Sequence, residues 1–243
     1  MKTAFATHGV SRPVIGGPSP STGRFIPSNR NFEIFEDFIH YVVPISDSTD
    51  DNQGQWGATL TATSTLDHTE GNGGLLTFNS DAGDDDEMLL HTHQPFFTPS
   101  ASNGKRYRFE ARVAPGRIDC TYFVGFCGAT GTLGDAGATL IDTSFIGFWL
   151  PETAAWTCGH GRAGEVAAVT GDTAVATEYN VLSFEYDGQD TLKFWVDGTL
   201  KATQTGMGGT FPNAIQKVMV GQRNKSTVDA LMVVDYIYAY VEF

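Results

Sequence analysis

The chain has 243 residues, a net charge of −13, 28 glycines and 17 phenylalanines. That charge argues against general nucleic-acid binding, which needs clustered Lys and Arg against the phosphate backbone, and no apolar run is long enough to span a bilayer. The length suits one large β-domain, and no stretch keeps a helical apolar period for long, so helix is expected to be scarce.

From Met1 to Phe32 there is no Asp or Glu, while Lys2, Arg12, Arg24 and Arg30 give +4, which leaves −17 on the rest of the chain. The first 31 residues also hold Pro13, Pro18, Pro20 and Pro27 among several glycines. Such a composition cannot sustain regular pairing, so residues 1–31 read as an extended basic arm and residues 32–243 as the folded body. Lys2 is followed by no apolar core of the kind a secretory leader needs, so export through such a leader is not expected.

The body begins abruptly with Phe32, Ile34, Phe35 and Phe38, expected as a strand that pairs near the C-terminal one. Gln55 to Thr63, Gly74 to Asn79 and Glu87 to Gln94 read as further strands between Gly, Asn and Asp clusters. Between the last two lies an acidic run, Asp81, Asp84, Asp85, Asp86 and Glu87. Calcium wants several such hard oxygens, with Asp81, Asp84 and Asp86 the candidates, but the spacing does not follow the helix-loop-helix calcium motif, and a solvated acidic loop is the simpler reading. His91 and His93 would share a strand face as metal ligands sometimes do, although no third ligand falls in register. Apart from the possible calcium, no cofactor is expected.

Lys105 to Val113 alternates cleanly, with Tyr107, Phe109, Ala111 and Val113 on one face and Arg106, Arg108, Glu110 and Arg112 on the other. The first face is core. The Arg106, Arg108 and Arg112 stripe either contacts an acidic partner or is a solvated face balanced by Glu110. Thr121 to Phe126 and Phe145 to Leu150 are two more strands. Cys120, Cys127 and Cys158 are three in number, so at least one is unpaired, and reduced packed thiols are expected. Trp149, Trp156, His160 and Arg162 gather around a stretch rich in Gly, Thr and Ala that reads as a loop; aromatic platforms with hydrogen-bond donors suit a glycan, whereas tryptophan in a sandwich is also ordinary core.

The strongest local signal runs from Tyr179 to Thr205. Leu182, Phe184 and Tyr186 alternate with polar partners, Asp187-Gly188 turns the chain, and Leu192, Phe194 and Val196 alternate again before Asp197-Gly198, a dipeptide suited to a tight type I′ turn. Gln216 to Gly221 is a strand, and the closing run Val233 to Phe243 carries β-branched or aromatic residues on both faces, as a central strand does. The count fits two packed antiparallel sheets.

Phe184 to Gly188, Phe194 to Gly198 and the closing Val234 to Tyr240 resemble the concanavalin A-like lectin and glucanase superfamily, in its laminin-G-like branch. The resemblance covers about Phe32 to Phe243 and implies an all-β, two-sheet antiparallel jelly-roll sandwich. It is weaker for function, because that fold serves lectins, hydrolases, adhesion modules and viral coat components alike. Hydrolases of the superfamily place two acids on one strand face; the nearest match, Glu185, Asp187 and Asp190, ends in Asp and is broken by the Asp187-Gly188 turn, so no catalytic residue is expected.

A basic arm on an acidic jelly roll is similar to the decoration, or cement, proteins of tailed-bacteriophage virions. That resemblance implies a non-enzymatic structural protein on the capsid exterior, assembled in the host cytoplasm. Its arm would bind the major capsid protein through Lys2, Arg12, Arg24 and Arg30, and a second copy of the chain is a further partner the resemblance allows. The alternatives are a lectin-like module or phage receptor-binding component that takes surface glycans, and, third, a glycoside hydrolase with unrecognised acids.

Overall fold

A computed structural model describes residues 31–38, 56–60, 64–69, 74–80, 86–93, 97–100, 104–117, 120–128, 133, 144–151, 155–162, 165–173, 177–224 and 231–242. The strands among them are β1 (Asn31–Glu36), β2 (Trp56–Leu60), β3 (Thr65–Thr69), β4 (Leu75–Asn79), β5 (Glu87–Thr92), β6 (Tyr107–Pro115), β7 (Thr121–Cys127) and β8 (Phe145–Leu150). They continue as β9 (Ala155–Arg162), β10 (Glu165–Thr173), β11 (Asn180–Tyr186), β12 (Leu192–Val196), β13 (Thr199–Gln204), β14 (Lys217–Arg223) and β15 (Leu231–Glu242). The described residues hold no α-helix, only a short 3-10 turn at Gly208–Thr210. None is a helix long and apolar enough to cross a membrane.

All strand pairs are antiparallel and fall into two sheets. The eight-stranded sheet runs β13, β12, β11, β6, β15, β4, β3, with β1 also paired to β15; the seven-stranded sheet runs β10, β9, β8, β7, β14, β5, β2. β15 is long enough to pair along its length with β6 on one side and, on the other, with β4 through Leu231–Val234 and with β1 through Ile237–Glu242. The N-terminal strand therefore closes on the C-terminal one, beginning at Asn31, the last residue of the arm as read from composition.

Alternation decides which side chains enter the layer between the sheets. Phe109 of β6 and Phe184 of β11 stack at 5.3 Å, and Phe126 of β7 meets both edge-on at 5.5 and 5.2 Å. Tyr107 stacks on Tyr186 at 5.4 Å in the same layer. These rings are fully buried, with Phe78, Phe148, Trp156 and Phe194 in the same cluster. Edge-to-face contacts of this kind add to the large apolar area that each ring removes from water. The β12–β13 turn has positive φ at both Asp197 (50°) and Gly198 (74°), as a two-residue hairpin turn matched to strand twist requires. The Asp197 carboxylate offsets the strain by accepting from the Val181 N–H (2.7 Å) and the Asn180 side chain (3.1 Å).

Two stretches fold differently from the expectation. The Gly-, Thr- and Ala-rich stretch around Trp156, His160 and Arg162, expected as a loop, holds the paired strands β9 and β10 at the edge of the seven-stranded sheet. Thr65–Thr69, which carries one apolar residue, is an edge strand against β4. In both cases cross-strand pairing supplies what local propensity lacks.

Candidate functional site

The face of the seven-stranded sheet turned away from the core is lined in register by residues of β5, β14, β7 and β8. Across it Gly221 pairs with both Leu89 and Phe123, and Phe123 pairs with Trp149. Leu89, Phe123, Cys127, Phe145, Trp149 and Met219 form a second apolar cluster, joined by Leu133 from the β7–β8 connection. Trp149 is 6% exposed and the others are buried more deeply, so this face is filled with packed side chains. Three neighbouring positions of one register row, Gly125, Gly147 and Gly159, carry no side chain, and the row continues through Met219. A Cβ at Gly125 would lie 2.3 Å from the Ile146 carbonyl oxygen, and one at Gly147 would lie 2.5 Å from that of Val124.

Leu133 is fixed by two charged groups. Its N–H donates to Glu87 Oε2 at 2.8 Å, and Arg223 Nη1 donates to its carbonyl. Burial pushes the Glu87 carboxyl up to about 7, against the opposing pull of the Leu133 N–H and the Arg223 charge. Glu87 is thus a buried strand residue and not the end of a solvated acidic loop. Asp81 and Asp84 lie outside the described residues. Asp86 accepts the Asn224 N–H on its backbone oxygen at 2.9 Å, and its Oδ2 is buried without a hydrogen bond. Among the described residues no group of three His, Cys, Asp or Glu is placed to hold a metal ion. His91 faces the same side as Leu89, and burial pushes its imidazole down to about 4.

The tryptophan group does not assemble. Trp149 pairs with Thr157, whose side chain points away from the core, while Trp156 and Cys158 point into it. Trp149 and Trp156 therefore occupy opposite faces of one sheet. Trp156 is fully buried and donates from Nε1 to Asn180 Oδ1 at 3.0 Å. His160 is buried with ring nitrogens 2.9 Å from Gln204 Oε1 and 3.0 Å from Thr210 Oγ1. Arg162 ends β9, half-buried. The expected glycan site is a strand with core residues, not a loop platform. The cysteines divide likewise: Cys120 and Cys158 join the core, Cys127 the outer cluster, and all three are buried thiols outside any disulfide.

The arginine stripe lies on the outer face of the eight-stranded sheet, its side chains opposite to the core-facing Tyr107, Phe109 and Ala111. Arg106 is exposed at the start of that row, and Arg108 and Arg112 are half-buried. Arg112 is ion-paired with Asp235 at the β15 irregularity, and its guanidinium lies 4.0 Å over the Tyr179 ring. Such pairing holds the side chain in one pose. Lys2, Arg12, Arg24 and Arg30 lie outside the described residues.

Of the acids nearest to the hydrolase pattern, Glu185 is on β11 facing outward, whereas Asp187 and Asp190 belong to the following turn. Asp187 Oδ1 accepts from the N–H groups of Gln189, Asp190 and Thr191 at 2.8–3.0 Å. Asp190 accepts from Gly206 at 2.8 Å and Met207 at 3.3 Å, tying the turn to the segment after β13. Both carboxylates are structural acceptors.

With two antiparallel sheets in this order, comparison with solved structures decides the fold. The chain superposes on a protein of unknown function, SO2946, from Shewanella oneidensis MR-1 with a TM-score of 0.62 at 15% identity, over 96% of this chain and 97% of that one. LamA from Z. galactanivorans in complex with laminaritriose and laminaritetraose gives 0.59 at 13% identity, over 90% and 100%. A Bacillus licheniformis β-glucanase gives 0.55 at 15% identity, over 85% and 97%. The fold is a concanavalin A-like jelly roll. At these identities the likeness defines architecture and not activity. No family model and no curated protein matches the chain. Within the jelly roll, none of the described strands carries two acids two or four residues apart.

Proposed function

We propose that this chain is a non-catalytic structural protein of a bacteriophage virion, a decoration or cement protein whose basic arm attaches to the capsid shell and whose jelly-roll body lies outside it. The observation that supports a non-catalytic body is the use of its carboxylates. Glu36 accepts from the Phe38 N–H and Trp56 Nε1, Glu87 from Leu133, Glu110 from Tyr236, Asp187 from the N–H groups of its own turn, Asp190 from those of the segment after β13, and Asp197 from the Val181 N–H of β11. Retaining glycoside hydrolysis needs two carboxyl groups about 5 Å apart facing one open cleft. Here these acids hold turns, connections and neighbouring strands.

Charge supports the attachment. An arm of +4 on a body of −17 is suited to bridge an acidic shell, since opposite charges steer association and like charges keep the body off the surface. Cosedimentation of the full chain with capsids assembled from the major capsid protein of the same virion tests the reading. Binding is expected at low salt, weaker at high salt, and lost when Lys2, Arg12, Arg24 and Arg30 are all replaced by Ser. No binding by the native chain overturns the decoration role. Full binding by the quadruple variant overturns the arm as anchor.

A further inference from the structure

At the end of the sandwich where β4 and β14 stop, polar side chains close the layer between the sheets. The alternation of each strand carries one step past its end: Ser64 precedes β3 on the core side with Leu66, and Ser80 follows β4 on the side of Phe78. In the other sheet Asp86 precedes β5 on the side of Met88, and Asn224 follows β14 on the side of Val220 and Gln222. Register sets these four in two pairs. Thr65 pairs with Asn79, which puts Ser64 opposite Ser80; Arg223 pairs with Glu87, which puts Asn224 opposite Asp86, and the Asn224 N–H donates to the Asp86 backbone oxygen at 2.9 Å. Across the layer Ser80 Oγ donates to Asn224 Oδ1 at 2.5 Å, so the two sheets are held close at this end. Both sheets step outward in the same sense there, from β4 to β3 and from β14 to β5. Ser64 therefore stands across from Asp86, as Ser80 does from Asn224.

The two facing pairs differ. Ser64 is 7% exposed, and both its Oγ and Asp86 Oδ2 are buried without a hydrogen bond. A serine hydroxyl that touches a carboxylate donates to it, and Ser64 does not donate to Asp86, so the two oxygens face each other at a distance that calls for a third group between them. One of these oxygens belongs to a carboxylate, and a buried carboxylate oxygen wants a positive charge beside it. Among the described residues no Lys, Arg or His pairs with Asp86; Arg223, beside Asn224, points to the other side of β14 and holds the Leu133 carbonyl. Water would satisfy the two hydrogen-bonding atoms and leave the charge uncompensated. A divalent cation would be over-supplied, because one carboxylate offsets one charge, and calcium sites draw their affinity from several carboxylates. We infer that Asp86 Oδ2 and Ser64 Oγ bind a monovalent alkali cation, sodium or potassium, between the two sheets. The ion ties the β3 side of one sheet to the β5 side of the other, and the Ser80–Asn224 bridge sets the spacing next to it. Asp86 as a whole is half-buried, which gives the ion a route from solvent. The site needs neither a second acid nor an imidazole, so it differs from the calcium reading of the acidic run, and it has no bearing on how the arm attaches.

Thermal unfolding at constant ionic strength separates binding from screening. The full-length protein is treated with a chelator, exchanged into choline chloride, and melted as sodium or potassium chloride replaces the choline salt. At least one of the two is expected to raise the midpoint saturably, by about 3–6 °C at ten times its dissociation constant. Asp86→Asn and Ser64→Ala should each lose that rise. In choline chloride alone Asp86→Asn should melt no lower than the native chain, since it removes a charge that nothing offsets there. Asp67→Asn serves as the control: this acid lies exposed on β3, where it accepts from Thr65 and Asn79, and its removal should leave the cation response unchanged. If Asp86→Asn does not fold, Ser64→Ala must show the loss. No response to either alkali cation would assign the position to water and overturn the inference. So would a response that persists in the folded Asp86→Asn and Ser64→Ala variants, or calcium acting at a lower concentration than both sodium and potassium.

Discussion

Tyr236 reaches diagonally across the β15–β6 pair to donate its phenolic hydrogen bond to Glu110 at 2.7 Å, although its register partner on β6 is Arg112. Glu110 is 4% exposed on the outer side of the sheet, so its charge is taken out of water beside a donor and a nearby cation. Burial raises the Glu110 carboxyl despite the Tyr236 hydrogen bond and the Arg108 charge, which both lower it. A buried carboxylate with one strong donor depends on that donor.

Tyr236→Phe removes that donor and keeps the ring. The expected cost is about 1–3 kcal/mol, most of it from leaving Glu110 buried without its partner. Glu110→Gln, which keeps an acceptor and discards the charge, should cost less. Chemical denaturation of the two variants at neutral pH gives the comparison, and equal losses would show that the hydroxyl is not the group that matters.

Glu87 sets a pH dependence with a definite sign. Its folded-state pKa is raised to about 7 from 4.5 by burial, so between those values the folded state binds more protons than the unfolded state. Stability contributed by this group is complete below about pH 4.5, falls as pH rises toward 7, and is level above. After allowance for solvent screening the loss is about 1–2 kcal/mol. Glu87→Gln, which retains an acceptor for the Leu133 N–H, should flatten the midpoint-against-pH curve in this window; an unchanged curve would assign the dependence elsewhere.

Phe126 brings the seven-stranded sheet into edge contact with both Phe109 and Phe184 of the other sheet. Phe126→Ala opens a cavity at that junction and is expected to destabilise by about 3–5 kcal/mol. Phe126→Leu should cost much less. Denaturant midpoints at constant slope are the measurement.

No hydrolysis of β-glucans is expected, because Glu87, Asp187 and Asp190 accept hydrogen bonds from connections and turns and no described strand carries two acids two or four residues apart. A sensitive reducing-end assay on laminarin and barley β-glucan checks this. Activity that disappears in Glu185→Gln would restore the hydrolase reading.

The meander β11–β12–β13 was legible because each strand alternates strictly and two Asp-Gly dipeptides mark its turns. β15 was legible as a central strand because both its faces carry β-branched or aromatic residues, and β1 as its neighbour. What the sequence hid follows from parity and partner choice. Residues 155–173 are dominated by Gly, Ala and Thr, which give no periodic signal; their strand character comes from pairing at a sheet edge. Trp149 and Trp156 are seven apart in sequence, and only the pairing of Trp149 with Thr157 reveals that they face opposite ways. Glu87 sits at the end of a run of acids and looked solvated, but its burial depends on Leu133, 46 residues away. Tyr236 and Tyr240 of β15 were visible as part of an alternating run, while their alignment with the β6 arginines exists only in the register.

The positions without side chains, Gly125, Gly147 and Gly159, bear on how this protein can change. At Gly125 and Gly147 even a methyl group would collide with the neighbouring strand's backbone, at 2.3 and 2.5 Å. Contacts that short cannot be relieved by turning a side chain; the strands themselves must separate. Gly125 and Gly147, in the middle of the seven-stranded sheet, are thus closed to stepwise acquisition of a nucleophile, an acid or a stacking ring, because a single replacement at either must first disrupt the pairing that supports it. New chemistry on that face, whether by natural drift or in the laboratory, has to enter at the neighbouring positions that already carry a side chain, such as Phe123 or Met219.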